Sequence, residues 1–181
     1  MGMIPEGRKI QGLFLKMNVK ENILMVYQRM QAKHGILSTK SLDDAAEEYS
    51  KKLNVKTASM DAPITSLSGG NQQKTIVARW LMNNPKILFM DEPTHGIDIG
   101  AKDEIYKIID DLTKQGVAVV LISSEMPEVL SLCDRIIVMH HGYKRGEVFN
   151  AETDQENLMS YTLDSAMTED EKRERQMAKT S

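Results

Sequence analysis

One cysteine, one tryptophan, three phenylalanines and five tyrosines are all that 181 residues hold of the types that staple or bulk out a small core. A single thiol, Cys133, excludes an intrachain disulfide framework and suits a reducing compartment. Its apolar neighbours Leu130, Leu132 and Ile136 favour a buried, inert thiol over a reactive one. Charge of one sign is also scarce. Lys and Arg number 23 against 26 Asp and Glu, a net charge of −3, which argues against a general nucleic-acid binder. Long hydrophobic runs are missing as well. The longest, such as Val117–Ile122, fall far short of the roughly 20 residues that cross a bilayer, and no stretch has the pattern of a secretory leader. Any membrane role is expected to come through a partner. With 41% hydrophobic residues, the chain can still build one globular core or a share of a larger one.

What is present is concentrated between Leu67 and Ala101. Leu67-Ser68-Gly69-Gly70-Asn71-Gln72-Gln73-Lys74 opens a helix. Ser68 can cap orphan backbone N–H groups there, and Gly69 and Gly70 let a polyphosphate approach the backbone. The positive end of the helix dipole faces that anion. Ile76, Val77, Trp80 and Leu81 have the spacing of a half-buried helix. Ile87 to Met90 is a continuous apolar run, which predicts a parallel strand buried on both faces. Asp91 then falls at the carboxyl end of that strand, where open α/β sheets place ligands, and Glu92 follows in position to polarise a water. Ser-Gly-Gly alone is usually just a cap, and Asp-Glu-Pro alone is an ordinary strand exit. Their order and spacing carry the signal.

Leu67–Lys74 resembles the signature motif of ABC-transporter ATPases, and Ile87-Leu88-Phe89-Met90-Asp91-Glu92-Pro93 resembles their Walker B segment. Met126-Pro127-Glu128-Val129-Leu130 and Asp134-Arg135-Ile136-Ile137-Val138-Met139 are similar to the ATP-binding subunits of bacterial sugar importers of the ribose/galactose type. The resemblance covers roughly residues 4 to 150. It implies an α/β fold: a partial P-loop-type ATPase sheet with an inserted α-helical subdomain and the phosphate-loop half missing. It divides the chain into the end of a Q-loop-type segment at 1–16, the helical subdomain at 17–66, part of the ATPase core at 67–150, and a terminal helix and charged tail at 151–181. No GxxxxGK[ST] occurs in the chain, so the expectation is the C-terminal part of an ATPase domain, the second of two in one polypeptide.

The same resemblance assigns roles. Asp91 would hold Mg²⁺, and Glu92 would orient or deprotonate the attacking water. Ser68, Gly69, Gly70 and Asn71 would bind the γ-phosphate of ATP held by a facing ATPase domain. Asp98, at the end of a D-loop-like Pro93-Thr94-His95-Gly96-Ile97-Asp98, would link the two sites. Glu6 stands where other members carry the Q-loop glutamine. Ser124 stands where most carry a histidine that contacts the γ-phosphate. Implied partners are a second ATPase domain, transmembrane permease subunits and, indirectly, a sugar-binding protein, with no nucleic acid. The implied location is peripheral, on the cytoplasmic face of the membrane. The implied activity is ATP hydrolysis coupled to monosaccharide import. Alternatives are a non-catalytic regulatory or scaffolding ATPase half, or a nucleoside importer. A chromosome-associated ATPase would need long coiled-coil heptads, which are absent.

The remaining expectations are local. Asn18 and Glu21 read as a capping box ahead of a face of Val19, Ile23, Val26, Tyr27 and Met30. Ser41 reads as the cap of a helix with Leu42, Ala45, Ala46, Tyr49 and Leu53 inward, after a polar connection at 33–40. Pro5 to Lys9 reads as a loop. Gly100–Gln115 reads as a helix stopped by Gly116, and Val117–Ile122 as a second buried strand. His95 lacks a second ligand at metal spacing and is expected at the surface. His140-His141-Gly142 reads as a hairpin turn, Lys144–Phe149 as its return strand, 151–163 as a helix, and 164–181 as a mixed-charge tail.

Overall fold

A computed structural model describes residues 1–28 and 38–163. Met30, the connection at 33–37 and the tail from 164 onward lie outside the described residues. The chain divides into two compact units, Met1–Ser124 and Glu125–Ser181.

The first unit is built on a parallel sheet of three strands in the order β1 (Gly2–Ile4), β2 (Ile87–Asp91), β3 (Ala118–Ile122). Ile4 pairs with Met90, and Asp91 with Ile122, so the carboxyl ends of all three strands meet at one edge. Leu88, Met90 and Ile4 point to one face and are fully buried. Each such side chain contributes about 1.5–3 kcal/mol of burial. Met3, Ile87, Val120 and Ile122 lie on the other face and remain exposed. Strands β2 and β3 are therefore parallel as expected but not buried on both faces. Helices cover one side only, so burial alternates along each strand with its side-chain period of two.

Among the described residues this unit contains the helices α1 (Val19–Leu24), α2 (Thr39–Lys52), α3 (Gly69–Leu81) and α4 (Ile99–Lys114). The expected capping box opens α1. The Asn18 side chain accepts from the Glu21 amide, and the Glu21 carboxylate accepts from the Asn18 amide. In α2 the cap is Ser38 rather than Ser41, because the Ser38 hydroxyl accepts from the Ser41 amide. The expected face of α2 holds: Ala46 and Leu53 are buried, and Leu42, Ala45 and Tyr49 half-buried. The segment expected as a loop at 5–9 instead runs into a π-helical turn, Arg8–Gly12, closed by the Gly12 amide on the Gly7 carbonyl. Single π turns of this kind occur often at functional sites. Helix α4 ends as expected. Gly116 takes φ +85°, its amide bonds to Thr113 O, and the Val117 amide to Leu112 O, the Schellman arrangement.

The central helix is α3, which packs on α1, α2, α4 and β1. It is buried nearly all round rather than on one face. Gln72, Gln73, Lys74, Thr75 and Arg79 are buried beside Ile76, Val77, Ala78 and Leu81. The buried polar residues explain the mismatch with a simple apolar stripe: Gln72, Lys74 and Arg79 donate to Ile64 O, Glu104 and Asn22 outside the helix, and Thr75 donates to Asn71 O within it.

The second unit holds α5 (Met126–Leu132), the antiparallel hairpin β4 (Arg135–His140) and β5 (Tyr143–Phe149), and α6 (Gln155–Leu163). His141 and Gly142, both at positive φ, form the expected two-residue turn. Among the described residues, Leu158 of α6 and Ile136 of β4 are its buried apolar residues. Cys133 is half-buried rather than buried as expected; desolvation, with Asp134 and Glu128 nearby, still pushes its thiol up, which disfavours a reactive thiolate.

Candidate functional site

Every candidate residue lies in the first unit, and the structure gathers them into two groups. The first group forms where the parallel strands end. β2 delivers Asp91, half-buried, opposite Ile122. The next residue, Glu92, adopts φ +43°, a left-handed conformation that a residue with a side chain seldom takes. Its amide still bonds to Ile122 O at 2.9 Å, and one carboxylate oxygen accepts from the Ser124 amide at 2.7 Å. The turn thus reverses the chain while holding the Glu92 carboxylate across the mouth of β3. Strain kept at such a point is a mark of functional sites. Ser124 joins this group through its backbone N–H, and the residue itself is exposed. Glu6 follows β1 by two residues, so it too stands at the carboxyl end of the sheet, exposed, with its carbonyl accepting from the Arg8 amide.

The loop from Pro93 to Asp98 is folded on itself. His95 N–H bonds to Glu92 O, and Ile97 N–H to Thr94 O; Pro93 and Thr94 are buried while His95 is exposed, as expected. Among the described residues no group of three His, Cys, Asp or Glu side chains is placed to hold a metal. Asp98 caps α4, its carboxylate accepting from the Ala101 amide at 2.9 Å.

The second group is the start of α3. Ser68 occupies the N-cap position but its hydroxyl caps no amide. It accepts instead from the Asn71 side-chain NH₂ at 2.9 Å, while the other end of that amide group accepts from the Lys56 backbone N–H at 2.8 Å. The expected capping role of Ser68 is thereby corrected: Asn71 competes for the hydroxyl and turns it aside. Gly70 is buried against the first turn of α4. A Cβ placed on it would lie 2.5 Å from the Ala101 Cβ. Its lack of a side chain is needed for two helices to meet, before any ligand is considered.

Sequence reasoning left three side chains at this site without a role. The Arg8 guanidinium reaches the start of α3, where a Cβ on Gly69 would come within 3.1 Å of it. Its Nε is buried without a hydrogen-bond partner, and burial lowers its pKa. Lys74, 2% exposed, donates to the Glu104 carboxylate of α4 at 2.8 Å and to Asn54 O. Arg79 donates to Gly12 O and to Asn22. For Lys74 and Arg79 the available signal was charge at helix positions between buried neighbours, which periodicity scores as a solvent face; Arg8, next to the exposed Lys9, carried no such signal.

Two kinds of chemistry suit these groups. Asp91 offers a hard carboxylate oxygen at a strand end, the donor type that divalent magnesium takes alongside phosphate and water. The start of α3 offers backbone N–H groups without a side-chain cap, a hydroxyl and a nearby guanidinium, a donor set for an anion.

Comparison with known proteins adds to this geometry. A family profile described as "ABC transporter" matches residues 1–95. A ribose/galactose/methyl galactoside import ATP-binding protein of Geobacillus kaustophilus is 48% identical over 159 residues, 88% of this chain and 32% of that protein. The ribose import ATP-binding protein RbsA of Yersinia pestis is 42% identical over 174 residues, 96% of this chain and 34% of its own length. The chain thus spans about a third of these curated relatives. Among solved structures, the dimeric ATP-binding cassette MJ0796 in a post-hydrolysis state with ADP and Pi superposes with a TM-score of 0.69. That match covers 82% of this chain and 62% of the other at 24% identity, and it supports the α/β cassette fold.

Proposed function

We propose a function from one premise: this chain belongs to the ABC transporter family. It is part of the ATP-binding subunit of an importer for a monosaccharide of ribose or galactose type, and the whole protein couples ATP hydrolysis to that import. The observation that carries the reading is the close of β2, where Asp91 precedes a left-handed Glu92 whose carboxylate is held by the Ser124 amide. The relatives' names favour sugar import over a nucleoside importer or a non-catalytic half.

In this reading Asp91 holds Mg²⁺, which when bound offsets the charge developing on the transferred phosphoryl group. Glu92 orients the attacking water and accepts its proton. The Ser124 amide keeps the Glu92 carboxylate from rotating away, a task that needs no imidazole at that position. Glu6 borders the same nucleotide site from the end of β1. Ser68, Gly69, Gly70 and Asn71 contact the γ-phosphate of ATP on a facing ATPase domain, with Arg8 adding positive charge beside Gly69. Asp98 sets the start of α4 against that contact and links the two sites. Partners are the second ATPase domain, the permease subunits and, through them, a sugar-binding protein. The subunit sits peripherally on the cytoplasmic face of the membrane; among the described residues no helix is long and apolar enough to cross one.

The test uses the full-length protein assembled with its permease subunits in vesicles. Glu92→Gln is expected to lower ATP hydrolysis about a hundredfold or more while nucleotide stays bound, and to stop sugar uptake. Hydrolysis at the unsubstituted rate would overturn the assignment of Glu92. The 181-residue chain alone, which carries no GxxxxGK[ST], is expected to hydrolyse no ATP above background. Turnover by it that disappears in Glu92→Gln would show that this chain needs no phosphate loop.

A further inference from the structure

Ser68 stands at the N-cap of α3 and Asn71 in its first turn, and their side chains meet. The direction of the hydrogen in that contact is fixed by a group outside it. The Lys56 backbone N–H lies 2.8 Å from one end of the Asn71 side-chain amide. A backbone N–H can only donate, so the atom it meets is the oxygen, Oδ1. The other end is then the NH₂ group, and it faces Ser68 Oγ at 2.9 Å. An amide NH₂ also can only donate, so the hydroxyl oxygen accepts. The hydrogen of the Ser68 hydroxyl is left over. Among the described residues it is donated to no acceptor.

The groups packed on this turn are donors or carbon. Beside Gly69 stand the Arg8 guanidinium and a methyl group of Ile97, and beside Gly70 stands the Ala101 Cβ. The amides of the first turn of α3 carry no side-chain cap. A hydroxyl whose oxygen is engaged from one side, among neighbours of this kind, turns its hydrogen outward. Ser68 is exposed, so that direction is open. Asn71 is half-buried and held at both ends, and rotating it would break both hydrogen bonds. The Lys56 amide thus sets the polarity of a hydroxyl that it does not touch.

We propose that Asn71 is a positioning residue: anchored by the Lys56 amide, it engages the Ser68 oxygen and leaves the Ser68 hydrogen for the γ-phosphate. The inference rests on the reading of Ser68 as a phosphate contact and adds how that hydroxyl is aimed. One of the two Asn71 N–H groups is used on Ser68, and the other is left for the contact of its own assigned above. An aspartate at this position would have the same shape and would still accept from the Lys56 amide. Its second oxygen would accept rather than donate, so the Ser68 hydrogen would turn inward, away from the phosphate. A carboxylate in the first turn of a helix also suits its dipole, so the fold is kept. An alanine would instead leave the Lys56 amide without its acceptor.

The first arm of the test is hydrogen exchange at the Lys56 amide of the 181-residue chain. Asn71→Ala is expected to speed it about fivefold, and Asn71→Asp to leave it within about twofold. An unchanged rate in Asn71→Ala overturns the anchor, and with it the direction of the hydroxyl. The second arm is steady-state ATP hydrolysis by the full-length protein with its permease subunits, with Ser68→Ala and Asn71→Asp made singly and together. Asn71→Asp alone is expected to lower kcat about thirtyfold while KM for ATP stays within about twofold. About tenfold of that is the lost hydrogen bond to a charged oxygen, and about threefold is the repulsion of the carboxylate. Added to Ser68→Ala, where no hydroxyl remains to be turned, Asn71→Asp is expected to lower kcat only about threefold. Equal losses in the two backgrounds would mean that the aspartate acts by its charge alone, and would overturn the positioning role. If Ser68→Ala by itself hydrolyses ATP at the unsubstituted rate, the phosphate reading of Ser68 has failed, and the exchange arm still decides whether Lys56 anchors Asn71.

Discussion

Two helices of the first unit, α3 and α4, begin in contact and begin differently. Gly70 of one packs on Ala101 of the other, and both have a short polar residue, Ser68 or Asp98, at the N-cap. By residue type both should be capped alike. Asp98 does cap, holding the Ala101 amide. Ser68 does not, because its hydroxyl is engaged by Asn71, which is in turn fixed by Lys56. The difference teaches that one helix start is finished within the chain and the other is finished only as far as its side chains. Backbone N–H groups left in this way are donors that an anion can use, which is the role proposed above for the start of α3.

The largest expected effect comes from breaking the contact between them. Gly70→Ala forces a methyl group to within 2.5 Å of the Ala101 Cβ, so the helices must separate. Overpacking of this kind costs about 1–3 kcal/mol, read as a lower midpoint in urea unfolding at unchanged slope. The double variant Gly70→Ala/Ala101→Gly should recover most of it. A Gly70→Asp variant, chosen on the view that this glycine exists only for phosphate, would mix the packing loss with charge repulsion, and the alanine pair separates the two.

Next is the cap itself. Asp98→Ala removes the bond to the Ala101 amide and should cost about 1 kcal/mol in the same unfolding measurement.

How much of this pair was legible in the sequence follows from what each residue does locally. The Asn18–Glu21 box, the Gly116 stop and the His141-Gly142 turn were readable because each is satisfied by residues within a few positions. The order of strand, Asp91-Glu92 and helix was readable for the same reason. The surroundings of α3 were not. Lys74 bonds to a residue 30 positions away and Arg79 to residues 57 and 67 positions away, and such partners leave no trace in local periodicity. The open sheet face was also hidden, since Val120 and Ile122 are as apolar as Leu88 and Met90 and only the tertiary layer tells them apart. At the site, the pattern identified Glu92 and Ser124 but not that they meet through a backbone amide.

A smaller effect should come from the ion pair that ties the two helices behind their starts. Lys74 holds the Glu104 carboxyl below its ordinary value near 4.5. A carboxyl with a lowered folded-state pKa contributes stability that is present above 4.5 and lost as pH falls through the lowered value. The Glu104 side chain is 40% exposed, so solvent screening keeps the contribution below about 1 kcal/mol. Melting curves of the unsubstituted chain and Glu104→Gln should differ near neutral pH and converge on the acid side of that step. Parallel curves at every pH would remove the pair from the account.

The smallest expected change is also the most discriminating. Ser68→Ala at a working N-cap would cost about 1 kcal/mol, as Asp98→Ala should. Here the hydroxyl is exposed and accepts only from Asn71, whose side chain stays anchored by the Lys56 amide when Ser68 is truncated. Losing one solvent-exposed hydrogen bond between side chains should cost no more than about 0.5 kcal/mol. The unfolding midpoint of Ser68→Ala should therefore lie close to that of the unsubstituted chain and above that of Asp98→Ala. On the proposed contact between this hydroxyl and the facing phosphate, the order should invert in the assembled full-length protein: the stable Ser68→Ala should lose more of its ATP hydrolysis than its stability implies. A midpoint as low as that of Asp98→Ala would mean that Ser68 caps α3 after all, and that the two helix starts are equivalent. Unchanged hydrolysis in a stable Ser68→Ala would instead leave the backbone amides and Arg8 as the whole of the anion contact.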